Sequence, residues 1–225
     1  MSLFQTVDKV KIPLKIGIEG ASGSGKTYSA LTLAKGLYGK LDNVAVADTE
    51  NKSSLLYRKH FGAFKWLSFE KPYHPLRFVT IIEEAVKEGL DCLIIDSVSA
   101  EWEGEGGCLD AHQKFGGKFQ DWAKVTPLHR KFIEAILYSE VDLIVTMRKK
   151  QDYSMITENG RTKIEKHGLK TVQRESFEYE LLTNFSLNQD HLAIASKDRT
   201  GLFKDPVPFM ITENTGKIIK DWNEH

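Results

Sequence analysis

From Leu14 to Thr146 the chain alternates short continuous apolar runs with stretches whose apolar residues recur every three or four positions. Apolar runs without polar alternation are expected of strands covered on both faces, so the alternation argues for an α/β domain with a mostly parallel sheet. The strand candidates are 14–19, Val44–Asp48, 65–69, Asp91–Asp96 and Val141–Thr146. Three helices are predicted between them. The first starts in the Gly25-Lys26-Thr27 region and carries Ala30, Leu33, Ala34 and Leu37 at helical spacing. The second has Pro75 in its first turn, then Phe78, Ile81, Ile82 and Ala85, with Gly89 beyond its end. The third takes Thr126 as N-cap and Pro127 as its first residue.

After Arg148 the texture changes. "YSMITENGRTKIEK" predicts a hairpin around a Glu-Asn-Gly-Arg turn, and "FEYELLTNFSLNQDHLAIASK" a second one turning near Asn188-Gln189-Asp190. From Thr212 a closing helix is expected, with Gly216 counting against it. There is no internal repeat, so the reading is a single domain over 1–225: a core at about 14–147, a hairpin-rich part at about 148–210 and a tail at 211–225. A chain of 225 residues, 41% apolar, suffices for one sizeable core. No signal peptide and no apolar run near ~20 residues is present, so neither secretion nor membrane spanning is expected. Cys92 and Cys108 then read as reduced thiols in a cytosolic setting. Cys108 and His112 have no second ligand pair at zinc spacing, so no metal site is read there.

The densest chemistry is "GASGSGKT": Gly20, Ala21, Ser22, Gly23, Ser24, Gly25, Lys26 and Thr27. It fits G-x-x-x-x-G-K-[ST] between a strand and a helix. Small residues let the backbone N–H groups of about Gly23 to Thr27 turn inward around phosphate oxygens. Lys26 would reach the β- and γ-phosphates, and Thr27 would complete a magnesium shell, with Tyr28 the next residue at the site. Asp96, ending a second buried strand, supplies the metal-side carboxylate. Ser97 follows it where many nucleotide hydrolases carry a glutamate. In a parallel sheet all strand C-termini share one rim, so Glu50, after Asp48-Thr49, could orient a water toward the γ-phosphate from another strand. The alternatives are that Glu50 caps the segment from Asn51, or that Glu101, in the loop beyond, is the catalytic carboxylate.

The trio "EGASGSGKT", "VADTEN" and "LIIDSVSA" resembles the RecA-type P-loop ATPase core, and "SAEWEGEGG", "DLIVTMRKK" and "SKDRTGLF" are similar to the compact RecA-like ATPases of phages and prophages. The resemblance implies a mostly parallel sheet with flanking helices and C-terminal antiparallel hairpins. It implies ATP and Mg²⁺ as ligands, Glu50 as the water-activating residue, and a bacterial cytoplasmic setting. It also implies a homo-oligomer in which Lys197 and Arg199 reach a neighbour's γ-phosphate, and a single-strand-binding or recombination protein as a further partner. One departure stands out: the strand matching Val141–Thr146 often ends in a γ-phosphate-sensing glutamine, and here Thr146-Met147-Arg148 follows.

Net charge is zero, with 31 basic and 31 acidic residues, so polyanion binding needs a local patch. Between Arg148 and Arg174 eight basic residues face three acidic ones, and the resemblance places a DNA-contacting loop here. Arg148, Lys149, Lys150, Arg161, Lys163 and Lys170 are therefore the candidate contacts to single-stranded DNA. Trp102, Phe115, Phe119 and Trp122, in a glycine-rich stretch, could stack on bases or fill the core. Besides a DNA-dependent ATPase, two further classes are compatible: a nucleotide-gated adaptor that hydrolyses little, and a P-loop kinase of small molecules, which calls for an arginine-rich lid.

Overall fold

The computed structural model describes residues 10–158, 161–175 and 177–225, and the side chains of these except within 153–167. In chain order the elements are β1 (Lys15–Gly20), α1 (Lys26–Tyr38), β2 (Val44–Asp48), α2 (Arg58–Phe61), β3 (Lys65–Ser68), α3 (Pro75–Lys87), β4 (Cys92–Asp96), α4 (Ser99–Glu103) and α5 (Cys108–Lys114). They continue with α6 (Trp122–Tyr138), β5 (Asp142–Glu158), β6 (Arg161–Thr171), β7 (Thr183–Leu187), β8 (Leu192–Asp198), β9 (Phe209–Met210) and α7 (Glu213–Glu224). The sheet order is β3-β2-β4-β5-β1-β7-β8-β9, with β6 pairing only β5. Strands β3 through β7 in that order are parallel, and β8 and β9 add to the edge antiparallel.

Two apolar layers enclose this sheet. Ile16, Ile18, Ile94 and Ile144 face α1 and Ile219 of α7, while Leu93, Ile95, Leu143 and Val145 face Phe78 and Ile82 of α3 and Phe132 and Ile136 of α6. This is why the strand segments read as continuous apolar runs: neighbours in sequence point to opposite, equally dry faces.

Gly216, which counted against a final helix, is what lets that helix dock. A Cβ at Gly216 would lie 2.4 Å from the Leu33 carbonyl oxygen, and one at Gly36 would lie 2.1 Å from that of Glu213. The backbones of α1 and α7 touch, and no side chain fits between them.

Four expectations need correction. The strand predicted at Val141–Thr146 does not stop there: β5 runs on to Glu158, because nothing after Met147 breaks it and β6 takes over its pairing from Lys149. The predicted turn at Asn159–Gly160 lies outside the described residues. The third helix begins at Trp122, so Pro127 sits inside α6, not at its start. The turn ahead of the proline persists because Val125 is buried and Trp122 stacks on Trp102. The second hairpin begins only at Thr183, since Phe177–Glu180 forms a 3-10 turn. Finally, the stretch after Asp96, where Glu101 was expected in a loop, contains α4 and α5, and Glu101 lies on α4.

Replacing Gly216 with alanine should lower stability by about 1–3 kcal/mol, as overpacking does. Denaturant unfolding of G216A against a control at an exposed helical site such as Glu83→Ala would show it, and an unchanged midpoint would refute the close approach of the two backbones.

Candidate active site

The turn from β1 into α1 carries the phosphate-binding signature. Gly25 caps α1 in the left-handed region at φ 89°, and a Cβ there would also press to 3.0 Å from Nδ1 of His191. The first turn of α1 contains no acidic side chain, so its free N–H groups and partial positive charge are left for an anion. The Lys26 ammonium donates to the Gly20 and Ala21 carbonyls at 3.0 and 2.8 Å, which holds it over the loop. Burial pulls its pKa down, partly offset by the negative charges of Asp96 and Glu50. Ser24 is wholly buried, and its hydroxyl has no hydrogen-bond partner among the described residues.

Asp96 ends β4 in register with Asp48 of β2. One carboxylate oxygen accepts from the Thr27 hydroxyl at 2.6 Å, and the other accepts from the Thr146 hydroxyl of β5. Burial pushes its pKa up, and these two hydroxyl bonds act in the opposite sense. Thr27 and Asp96 thus present adjacent hard oxygen donors, the set that Mg²⁺ takes while keeping most of its waters. The peptide between Asp96 and Ser97 is cis. Ser97, the residue in place of the expected glutamate, has a structural role: its hydroxyl donates to the Thr146 carbonyl at 3.0 Å, and its N–H to the Thr49 hydroxyl at 2.8 Å. The Thr49 N–H in turn donates to the Asp96 carbonyl at 2.7 Å. The rim is laced across β2, β4 and β5.

Glu50 stands on this rim. The segment after it is capped by Asp48, not by Glu50: buried Asp48 accepts from the Ser54 N–H at 3.0 Å and from the Glu50 N–H at 2.7 Å. The Glu50 carboxylate instead meets Arg148, whose Nε and Nη2 donate to its two oxygens at 2.7 and 2.5 Å. Of the residues at the end of the sequence-predicted strand, Thr146 is buried beneath Asp96 and only Arg148 reaches the cavity. Glu101, the alternative carboxylate, lies on α4 and is fully buried against His129 and Cys108, away from this cavity.

The cavity measures about 870 Å³ and is lined by Ser22, Gly23, Gly25, Lys26, Thr27, Tyr28, Glu50, Asp96 and Arg148. Ser29, Ser53, Tyr57, Lys149, Lys150, His191, Met210 and Ile211 complete it; sequence reasoning missed all of them for this cavity, having assigned the two lysines to DNA alone. The "NQDH" turn was legible as a hairpin turn. Nothing local says that β7 lies beside β1, which brings the turn after Leu187 level with Gly20. Tyr28 donates or accepts at His60 Nε2, 2.9 Å away, and stands edge-on to Tyr57.

Lys197 and Arg199 lie elsewhere. Asp198 pairs with Thr183 at the start of β7, so both basic residues sit at the sheet edge opposite the phosphate loop. There Lys197 donates to the Glu178 and Tyr179 carbonyls, and Arg199 to the Tyr179 carbonyl at 3.0 Å.

The basic segment is less free than its composition suggests. Lys149 is bound to buried Glu19 at 2.9 Å with only 16% of its side chain exposed, so it anchors the hairpin to β1 instead of facing solvent. Lys150 meets Glu103 at 2.6 Å and Lys170 meets Glu175 at 2.9 Å, both on the surface. The side chains of Arg161 and Lys163 lie outside the described residues. Lys150 and Lys170, with Arg130 and Arg174, line a second cavity of about 1050 Å³ between α6 and the base of the β5–β6 hairpin. Trp102 and Trp122 stand in its wall but stack on each other at 5.6 Å, and His112 stacks on Trp122 at 4.1 Å. Those two indoles are spent on packing, whereas Phe119, 90% exposed, is open on the same wall. No helix among the described residues is long and apolar enough to cross a membrane.

A family model described as an AAA domain matches residues 12–188. No curated protein matches the chain.

Proposed function

The chain belongs to the AAA domain family of P-loop ATPases, its architecture fits the RecA-like P-loop fold, and on that premise we propose that it binds Mg-ATP and hydrolyses it in an oligomer acting on single-stranded DNA. The observation that carries the catalytic part is the convergence of Lys26, Thr27, Asp96 and Glu50 on one cavity from three different strand ends. The loop N–H groups and Lys26 hold and neutralise the triphosphate. Thr27 and Asp96 hold Mg²⁺, which supplies charge neutralisation at the phosphate oxygens. Glu50 orients a water and takes up its proton as the water oxygen bonds to the γ-phosphorus and the bond to the ADP oxygen breaks.

Arg148 favours a second reading as well. Its two-toothed grip on Glu50 occupies the carboxylate that the water needs. Arg148 is also the residue at which β5 leaves the parallel sheet for the hairpin, level with Gly20 of the phosphate loop. A chain that keeps this grip is a nucleotide-gated adaptor with little turnover; one that releases it when DNA engages the hairpin is a DNA-stimulated ATPase. The DNA reading is supported by the groove beside that hairpin, with Lys150, Lys170, Arg130 and Arg174 on its walls and Phe119 exposed for stacking. The oligomeric reading is supported by Lys197 and Arg199 lying at the edge opposite their own phosphate loop, where a neighbour's γ-phosphate is the one available to them. A recombination or single-strand-binding protein is the partner expected of such an assembly.

The deciding experiment is ATP turnover with and without single-stranded DNA, wild type against Glu50→Gln. DNA-stimulated turnover that falls by roughly 10²–10⁴-fold in E50Q, with ATP binding retained, is expected of a lost general base. No turnover in either protein, with ATP binding retained, would favour the adaptor reading.

Charge reversal at Lys150 and Lys170 should weaken DNA binding and flatten its dependence on salt by about one unit of log–log slope per lost phosphate contact. Unchanged affinity and slope would remove the groove from the DNA path.

Arg199→Ala should bind ATP normally but turn over ~10³-fold more slowly or worse. Mixing R199A with E50Q should restore part of the activity, because the E50Q subunit still offers Arg199 to its neighbour's intact site. Full activity of R199A alone would sink the assignment.

A further inference from the structure

Outside the active site, Glu101 of α4, Cys108 at the start of α5 and His129 of α6 meet in the interior, at 0%, 0% and 5% exposure. A Glu101 oxygen lies 3.0 Å from Cys108 Sγ and 3.0 Å from His129 Nδ1, and the three donor atoms fall within 4.8 Å of one another. Among the described residues this is the one group of three such side chains whose donors converge in this way. We propose that these three side chains form a zinc site that staples α4, α5 and α6 together.

The donor set selects the metal. Thiolate, imidazole and carboxylate together suit Zn²⁺, at about 2.3 Å for sulfur and about 2.0–2.2 Å for nitrogen and oxygen, which sets donor-to-donor edges near 3.5 Å in a tetrahedron. The two edges from Glu101, at 3.0 Å each, would open by about half an ångström, and the edge between Cys108 and His129, within 4.8 Å, would settle near the same length. Mg²⁺ takes oxygen ligands and is not suited to it, so this site is chemically distinct from Thr27 and Asp96. The charges also balance. Binding removes one proton, from the Cys108 thiol to solvent, and the resulting thiolate and the Glu101 carboxylate together neutralise a divalent ion in a place where an unpaired charge is costly. With three protein donors, the fourth position of such a tetrahedron would be left to a water. The Gln173 amide, from the segment after β6, donates to the other Glu101 oxygen at 3.4 Å and to the Val98 carbonyl at 3.2 Å, which orients the carboxylate from behind.

The position explains what a staple here would do. α4 and α5 are short, five and seven residues, and neither is long enough to be stable by itself. They carry Trp102 and the wall of the larger groove, and His129 packs edge-on to Trp102 at 5.5 Å. The site holds structure and is closed to substrates by its burial. The sequence pointed away from it by pairing Cys108 with His112, but His112 is engaged elsewhere, stacked on Trp122 with its Nε2 2.9 Å from the Lys118 carbonyl oxygen.

The test is metal content of the full chain after dialysis against zinc with Mg²⁺ in large excess, so that oxygen-only sites are not scored, followed by gel filtration and elemental analysis. About one zinc per chain is expected, falling at least ~10-fold in Cys108→Ser and His129→Asn and unchanged in His112→Asn. Because the first two variants could misfold, the wild type is also loaded with Co²⁺, where a thiolate-to-cobalt charge-transfer band is expected. Folded wild-type protein with no bound zinc and no cobalt band would overturn the site and leave a hydrogen-bonded core triad. Zinc that persists equally in folded C108S and H129N would mark an adventitious ion only. Neither readout depends on ATP turnover, so the result stands apart from the proposed catalytic function.

Discussion

A single buried carboxylate organises this molecule. Asp96 is almost without solvent, and leaving its charge unpaired there would be prohibitive. It is satisfied by one hydroxyl from the first turn of α1 and another from the end of β5, with a rim of backbone bonds to Thr49 behind it. Meeting those demands fixes β4 against β5, sets α1 at one height over the sheet, and brings the chain after β2 to the same edge. The phosphate loop, Asp96 and Glu50 share a cavity because they are all anchored to that rim.

Electrostatics on the rim are arranged in pairs that cross element boundaries. Arg148 holds Glu50, Lys149 holds Glu19 and Lys150 holds Glu103, so three consecutive residues of β5 each bind an acid from a different element. Lys149–Glu19 is buried and structural. The other two are partly solvated and worth little individually, which leaves them exchangeable for a phosphate. On the proposed DNA reading, a net-neutral chain would engage a polyanion by trading partners, without carrying a standing excess of positive charge.

The interior beyond the rim follows a different logic. Glu101, Cys108 and His129 bring polar groups into a region whose neighbours are aromatic: Trp102, Trp122, Phe132 and Phe177. Short helices that could not hold themselves are fastened there by side-chain chemistry, while the long helices α1, α3 and α6 rely on apolar area.

Much of the design is local and was therefore legible in the residues. A parallel sheet buried on both faces forces continuous apolar runs, so β1, β2, β4 and the start of β5 could be read directly. Phosphate binding needs small residues at fixed spacing ahead of a helix, so Gly20–Thr27 stood out, and the shared rim of a parallel sheet made Asp96 and Glu50 candidates for one site. What tertiary structure alone decided concerns pairs far apart in sequence. That Lys149 is neutralised by Glu19, that Arg148 grips Glu50, that His191 overhangs Gly25, and that Gly216 is required by Gly36 all depend on which strand or helix lies beside which. Periodicity reports which face of an element is dry, and it carries no information about the neighbour that keeps it dry.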